Sequence, residues 1–236
     1  MDGFTYTNIF ETKGIEYLAI IAFFLIMVPF WMLLTRKSKQ SMQTQLAGGL
    51  ITAQSLRIPQ GIFFSKFHSW AYLEKTGKAR VGLDDLLLHL TGEVSISHLR
   101  EPGEKVQKGE LLTQINHDGK SLKIFAPISG EIVRTNEQLV DEPELMKADP
   151  YQQGWMYVIQ PSNWKADTNT HFLAEDASKW AAQELDRFKD FLSASVMKHL
   201  ANPNQVVLQD GGELIDQPLA ELPEEVWEDF QETFLS

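Results

Sequence analysis

From Ile62 to Ile159 turn signals recur at short spacing: Thr76-Gly77, Pro102-Gly103, Lys108-Gly109, Asp118-Gly119, then Pro127 with Gly130. Between them lie short apolar-alternating runs such as Glu93 to Ile96, Leu111 to Ile115 and Glu131 to Val133. Punctuation this frequent leaves room only for short strands, so the segment reads as an all-β sandwich or barrel. One stretch departs from this pattern. In Asp84 to Leu90, Leu86, Leu87 and Leu90 share one side at helical spacing, which predicts a short helix with Asp84 as its N-cap.

After Trp164 the period changes. Leu173, Ala177, Trp180, Leu185, Phe188 and Leu192 recur every three to five residues, and Val196 and Leu200 continue the series. This is a long amphipathic helix, expected to be capped near Asn169 or Thr170 and to end at Asn202-Pro203. A hairpin is expected in Gln205 to Leu219, around Asp210-Gly211-Gly212. A last helix starts at Pro223-Glu224-Glu225, with Val226, Trp227, Phe230 and Phe234 on its apolar face. From Gln205 onward there are nine acids and no base, which reads as a solvated face or as a docking surface for a basic partner.

The segment Tyr17 to Thr35 carries no charge. Nineteen residues at the helical rise reach about 28 Å, close to a bilayer's hydrocarbon thickness. Arg36, Lys37 and Lys39 follow the run, whereas acids dominate before it. That order speaks against a cleaved signal peptide. The expectation is a transmembrane helix in the inner (cytoplasmic) membrane, single-pass, with the N-terminus outside and the C-terminal domain cytoplasmic.

The net charge of −11 argues against nucleic acid, which needs clustered bases. The absence of cysteine excludes disulfides, thiol nucleophiles and thiolate metal sites. The six histidines lack HxxxH or HExxH spacing, so no metal is expected. With no G-x-S-x-G context, P-loop or Rossmann fingerprint either, the chain is not read as an enzyme.

An ordered set of blocks is more specific. It runs His68-Ser69-Trp70, Ala79 to Asp85, Gly92-Glu93-Val94, Pro102-Gly103, Lys108-Gly109, Ala126-Pro127-Ile128-Ser129-Gly130, Asn136-Glu137, Pro143-Glu144-Leu145, Asp149-Pro150-Tyr151 and Gly154-Trp155-Met156. In this order and spacing the chain resembles the glycine cleavage H protein family over residues 60–163. The resemblance implies a mainly β fold, the barrel-sandwich hybrid of lipoyl carriers (the single hybrid motif). It also implies a hairpin-tip lysine that carries lipoate and shuttles aminomethyl groups between partner enzymes. The expected organisation is an extracytoplasmic N-terminus (1–16), a transmembrane helix (17–35), a linker (36–59), the H-protein-like domain (60–163) and a C-terminal α-helical extension with the hairpin (164–236).

Counted from Gly109 or from Pro127, the position of the family's lysine falls on Gly119, with Lys120 next to it and Lys123 nearby. The family's glutamate three residues earlier is Asn116 here. Asp118-Gly119 is a preferred pair for a two-residue type I′ turn, which would make Lys120 the first residue of the return strand. The reading is therefore a membrane-anchored scaffold or docking subunit of an unidentified membrane-associated complex, redox chemistry being one option, with no cofactor. The alternative is a lipoylated carrier with Lys120 as the cofactor-binding residue, moving aminomethyl groups or electrons. A third option is an independent binding module that uses the carrier groove. Partners are thus the lipid bilayer and protein subunits, not nucleic acid, and no catalytic residue is named.

Overall fold

The computed structural model describes residue 17 and residues 20–27, 49–199 and 214–236. It divides into two units, Met1–Ala47 and Gly48–Ser236. In the first, residue 17 and residues 20–27 are helical. Among the described residues, no helix is long and apolar enough to cross a membrane. This corrects the expected transmembrane helix and, with it, the single-pass placement in the inner membrane. An uncharged run is necessary for a span, but a spanning helix must also have the length. The remainder of the expected span, the N-terminal segment 1–16 and most of the expected linker lie outside the described residues.

The second unit holds the β structure. One antiparallel sheet has the order β2 (Phe63–Phe64), β3 (Ser69–Leu73), β4 (Ala79–Leu83), β10 (Trp155–Pro161), β9 (Gly130–Thr135) and β6 (Lys105–Val106). A second sheet has the order β5 (Ser95–His98), β7 (Leu111–His117) and β8 (Lys120–Phe125). The inward residues of both sheets, including Val81, Ile159, Leu112 and Leu122, belong to one buried core. Tyr157 on β10 reaches across to β7, its hydroxyl donating to the Leu112 carbonyl at 3.2 Å. Trp70 is fully buried, and its indole N–H donates to the Leu83 carbonyl at 2.8 Å. The ring crosses β4 at Gly82, where a Cβ would lie 2.6 Å from it, so only glycine admits the indole.

Helix α1 (Asp85–Thr91) forms as expected, with the Asp84 carboxylate accepting from the Leu87 amide at 2.8 Å. Two single turns follow, α2 (Gln138–Asp141) and α3 (Leu145–Ala148), then α4 (Trp164–Thr168). The long helix α5 (Ala174–His199) starts later than the expected cap at Asn169 or Thr170. The cause is Phe172, whose backbone is committed to a β-bridge with Phe64: each amide donates to the other's carbonyl, at 2.8 and 2.9 Å. A residue held extended in this way cannot also begin a helix.

Residues 50–58 are not a free linker. β1 (Leu50–Ile51) pairs antiparallel with β11 (Leu214–Ile215), Ile51 and Leu56 are buried, and Arg57 grips Asp85 through both its backbone amide and its guanidinium. The strand expected to form one arm of a 205–219 hairpin thus pairs with the start of the unit, and the other arm lies outside the described residues. Beyond β11 the Gln217 and Leu219 amides donate to the His89 and Leu90 carbonyls at 2.8 and 3.0 Å. They satisfy the terminal carbonyls of α1, which have no partner within the helix. The chain closes with α6 (Glu224–Phe234), whose apolar face is the expected Val226, Trp227, Phe230 and Phe234, all buried.

Candidate functional site: the β7–β8 hairpin

His117 on β7 pairs with Lys120 on β8, which leaves Asp118 and Gly119 as a two-residue loop. Both have positive φ, 45° and 85°, as a type I′ turn requires. Gly119 therefore occupies the tip, where an added Cβ would meet nothing within 4 Å. Lys120 starts the return strand, as the Asp-Gly pair suggested. Alternation along β8 puts Lys120 on the face of buried Leu122 and Ile124, opposite exposed Ser121 and Lys123. One residue past the tip, the lysine thus faces the interior side of the sheet.

There the C-terminal extension meets it. The Lys120 ammonium donates to the Ala220 carbonyl at 2.5 Å and to the Leu222 carbonyl at 3.0 Å. It also lies over the Trp227 ring, 5.1 Å from the centroid. His117, on the other side of the turn, stacks on the same indole with 9° between the planes. The indole N–H is anchored on the Leu219 carbonyl at 2.8 Å. Further along, the Gln231 carboxamide accepts from the Lys123 amide at 2.6 Å and donates to its carbonyl at 3.2 Å. That side chain completes the open edge of β8 as a neighbouring strand would. Asn116 is tied sideways: it donates to the Ser97 hydroxyl at 3.0 Å and accepts from Gln114 at 2.9 Å.

No residue pattern in the sequence marks Trp227, Ala220 or Leu222 as partners of Lys120. They lie 100 or more residues away, and two of the three contacts are backbone carbonyls.

A buried and a partly buried charge network hold the surrounding frame. Asp84, besides capping α1, lies 2.9 Å from Nδ1 of His68, which is completely buried. Glu184 on α5 is 3.7 Å from the other ring nitrogen, within ion-pair reach but too far for a hydrogen bond. Burial disfavours the imidazolium, but the two carboxylates outweigh it and raise the His68 pKa to about 9. In the second network His89 lies between Asp216, 2.6 Å away, and Asp85, 3.6 Å away. Burial again opposes the charge, and these carboxylates raise its pKa to about 9. Lys147 donates to Asp216 at 2.7 Å, which binds β11's continuation to α3. His171 behaves oppositely, since burial and the nearby Lys108 ammonium lower its pKa to about 4.

These shifts fix the sign of a pH effect. His68 and His89 bind protons more tightly folded than unfolded, so their contribution is full below pH 6.5 and is lost as pH rises through about 9. His171 binds its proton less tightly when folded, so its contribution is lost as pH falls from 6.5 toward about 4. Thermal melts across this range are expected to peak near pH 6.5 and to decline on both sides. A melting temperature still rising at pH 9 would contradict the assignment. Among the described residues there is no group of three or more side chains that could hold a metal ion.

The family model described as "Glycine cleavage H-protein" matches residues 62–184. The chain is 31% identical over 131 residues to the probable glycine cleavage system H protein of Thermococcus gammatolerans, covering 56% of this chain and 97% of that protein. It is 34% identical over 104 residues to the glycine cleavage system H protein of Hydrogenovibrio crunogenus, covering 44% and 81%. A crystal structure of the H protein from Mycobacterium marinum aligns with a TM-score of 0.45 at 29% identity, over 54% of this chain and 98% of that one. The matched region takes in the hairpin and the first part of α5 and stops short of β11 and α6. The two-sheet frame, the β7–β8 hairpin and the ordered blocks all fall inside it, and the chain belongs to the glycine cleavage H-protein family.

Proposed function

We propose that this chain is a carrier protein of the glycine-cleavage type, with Lys120 as the amine to which a lipoyl arm is joined. The H-protein family consists of non-catalytic carriers of lipoate. The supporting observation is the placement of Lys120. It is the primary amine nearest the hairpin tip, flanks the turn directly, and belongs to a hairpin whose base is fixed by the buried core. When bound, lipoate supplies a dithiolane that accepts and releases a group at the end of a long flexible arm. The chain supplies a rigid mount for that arm and a surface for partner proteins to recognise.

The residues fit this use on one condition. Lys120 is chemically suited, but its ammonium must leave the Ala220 and Leu222 carbonyls before it can react. Incubation of the full chain with lipoate, ATP and a lipoyl protein ligase is expected to give one adduct. Lys120→Ala should lose it and Lys123→Ala should keep it. An adduct that survives in Lys120→Ala would sink the assignment.

A second reading is favoured by Gly119 at the tip: the fold is used as a docking module without an arm. It requires that the chain remain unmodified under conditions in which an ordinary H protein is lipoylated.

A further inference from the structure

We infer that the C-terminal extension is a built-in cap on the hairpin, and that docking of the extension and acylation of Lys120 oppose each other. The inference deepens the carrier reading and draws its purpose from it, although the contact itself does not depend on lipoate.

A lysine ammonium has three protons and a full charge. Here it meets two carbonyl oxygens and the face of an indole, a set of partners that suits a cation. Acylation changes each of these terms. Nζ must first release a proton to expose its lone pair. It then attacks the carbonyl carbon of an activated acyl donor, such as an acyl adenylate, forming the N–C bond as the leaving group departs with its electron pair. A second proton is lost, and the product is a neutral amide with one N–H. That amide can satisfy only one of the two carbonyls and has no charge to place over Trp227.

The cap is positioned specifically for this lysine. His117 and Lys120, the residues on either side of the turn, both engage the Trp227 ring, and Gln231 closes the β8 edge beside them. These contacts come from residues beyond the part that matches the family. The extension thus occupies the face that a modifying enzyme or a partner would need to approach. Since docking favours the ammonium, acylation must weaken docking by the same factor by which docking weakens acylation. Loading the carrier would therefore loosen α6 where it meets the hairpin, while the aromatic cluster with α5 still holds it; the helix is acidic, with Glu224, Glu225, Glu228, Asp229 and Glu232 and no base.

The test uses the full chain and a small amine-acetylating reagent, with each lysine followed by peptide mass spectrometry. Lys120 is expected to react at least about tenfold more slowly than Lys75 and Lys123, the loss expected when charge-assisted hydrogen bonds must break first. Both reference lysines are exposed. Equal rates at Lys120 and Lys123 in the unaltered protein would overturn the cap. The converse measurement is amide hydrogen exchange in α6. Lys120→Gln, which mimics the loss of charge, should speed exchange there, and Lys123→Gln should not. Unchanged α6 protection in Lys120→Gln would also overturn it. Neither readout involves lipoate, so a chain that never takes up lipoate would remove the carrier reading and leave the cap standing.

Discussion

Asp84→Ala is expected to destabilise the second unit by roughly 3–5 kcal/mol, the range for breaking a buried ion pair from one side. Asp84 is 3% exposed and His68 is fully buried. One carboxylate oxygen caps α1 on the Leu87 amide while the other holds the imidazole. Removing both leaves an open helix end, which alone costs about 1 kcal/mol, and a charged histidine facing only Glu184 at 3.7 Å. Asp84→Asn separates the two roles, because its side-chain oxygen can still accept from Leu87. It should recover the cap, lose the charge pairing, and flatten the decline in stability above pH 6.5 that His68 contributes. Urea unfolding checks both variants. A loss below about 1 kcal/mol in Asp84→Ala would show that the pair adds little beyond the cap.

Phe230→Ala is expected to cost about 3–5 kcal/mol, as for other buried phenylalanines. Phe230 is completely buried, stacks on Phe234 at 4.9 Å, and meets Phe188 and Phe191 of α5 edge-on at 5.8 and 5.9 Å. This cluster fastens α6 to α5, so the damage should be local before it is global. Hydrogen exchange should accelerate first in α6, and Lys120 should become more reactive as the cap loosens. Glu232→Ala, on the exposed side of the same helix, should stay within about 0.5 kcal/mol of the parent. Equal effects from the two substitutions would mean that the aromatic cluster does not hold the extension.

The local features were legible because their causes are local. Asp118-Gly119 specifies its turn by backbone conformation, and Asp84 announces a helix start by its distance from Leu87. The apolar spacing of Val226, Trp227, Phe230 and Phe234 marks the buried face of α6. What escaped depends on partners distant in sequence. Nothing near Leu214 says that it will pair with Ile51 rather than with an arm of its own hairpin. Nothing near Phe172 says that a bridge to Phe64 will delay the long helix. The uncharged run after Tyr17 matched a membrane span in composition, yet among the described residues no helix is long and apolar enough to cross a membrane. At the hairpin, Asp118-Gly119 forms the two-residue loop that the pair suggested. The inward turn of Lys120 followed from strand alternation, but the cage that receives it could be seen only once the extension was in place.

The carrier account depends most directly on the state of one side chain in the cell. The decisive measurement is the intact mass of this chain isolated from its own lipoate-replete cells, with the β7–β8 peptide then mapped. A population bearing a single lipoyl amide on Lys120 is expected. A chain of unmodified mass, with Lys120 present only as the free amine, would contradict it.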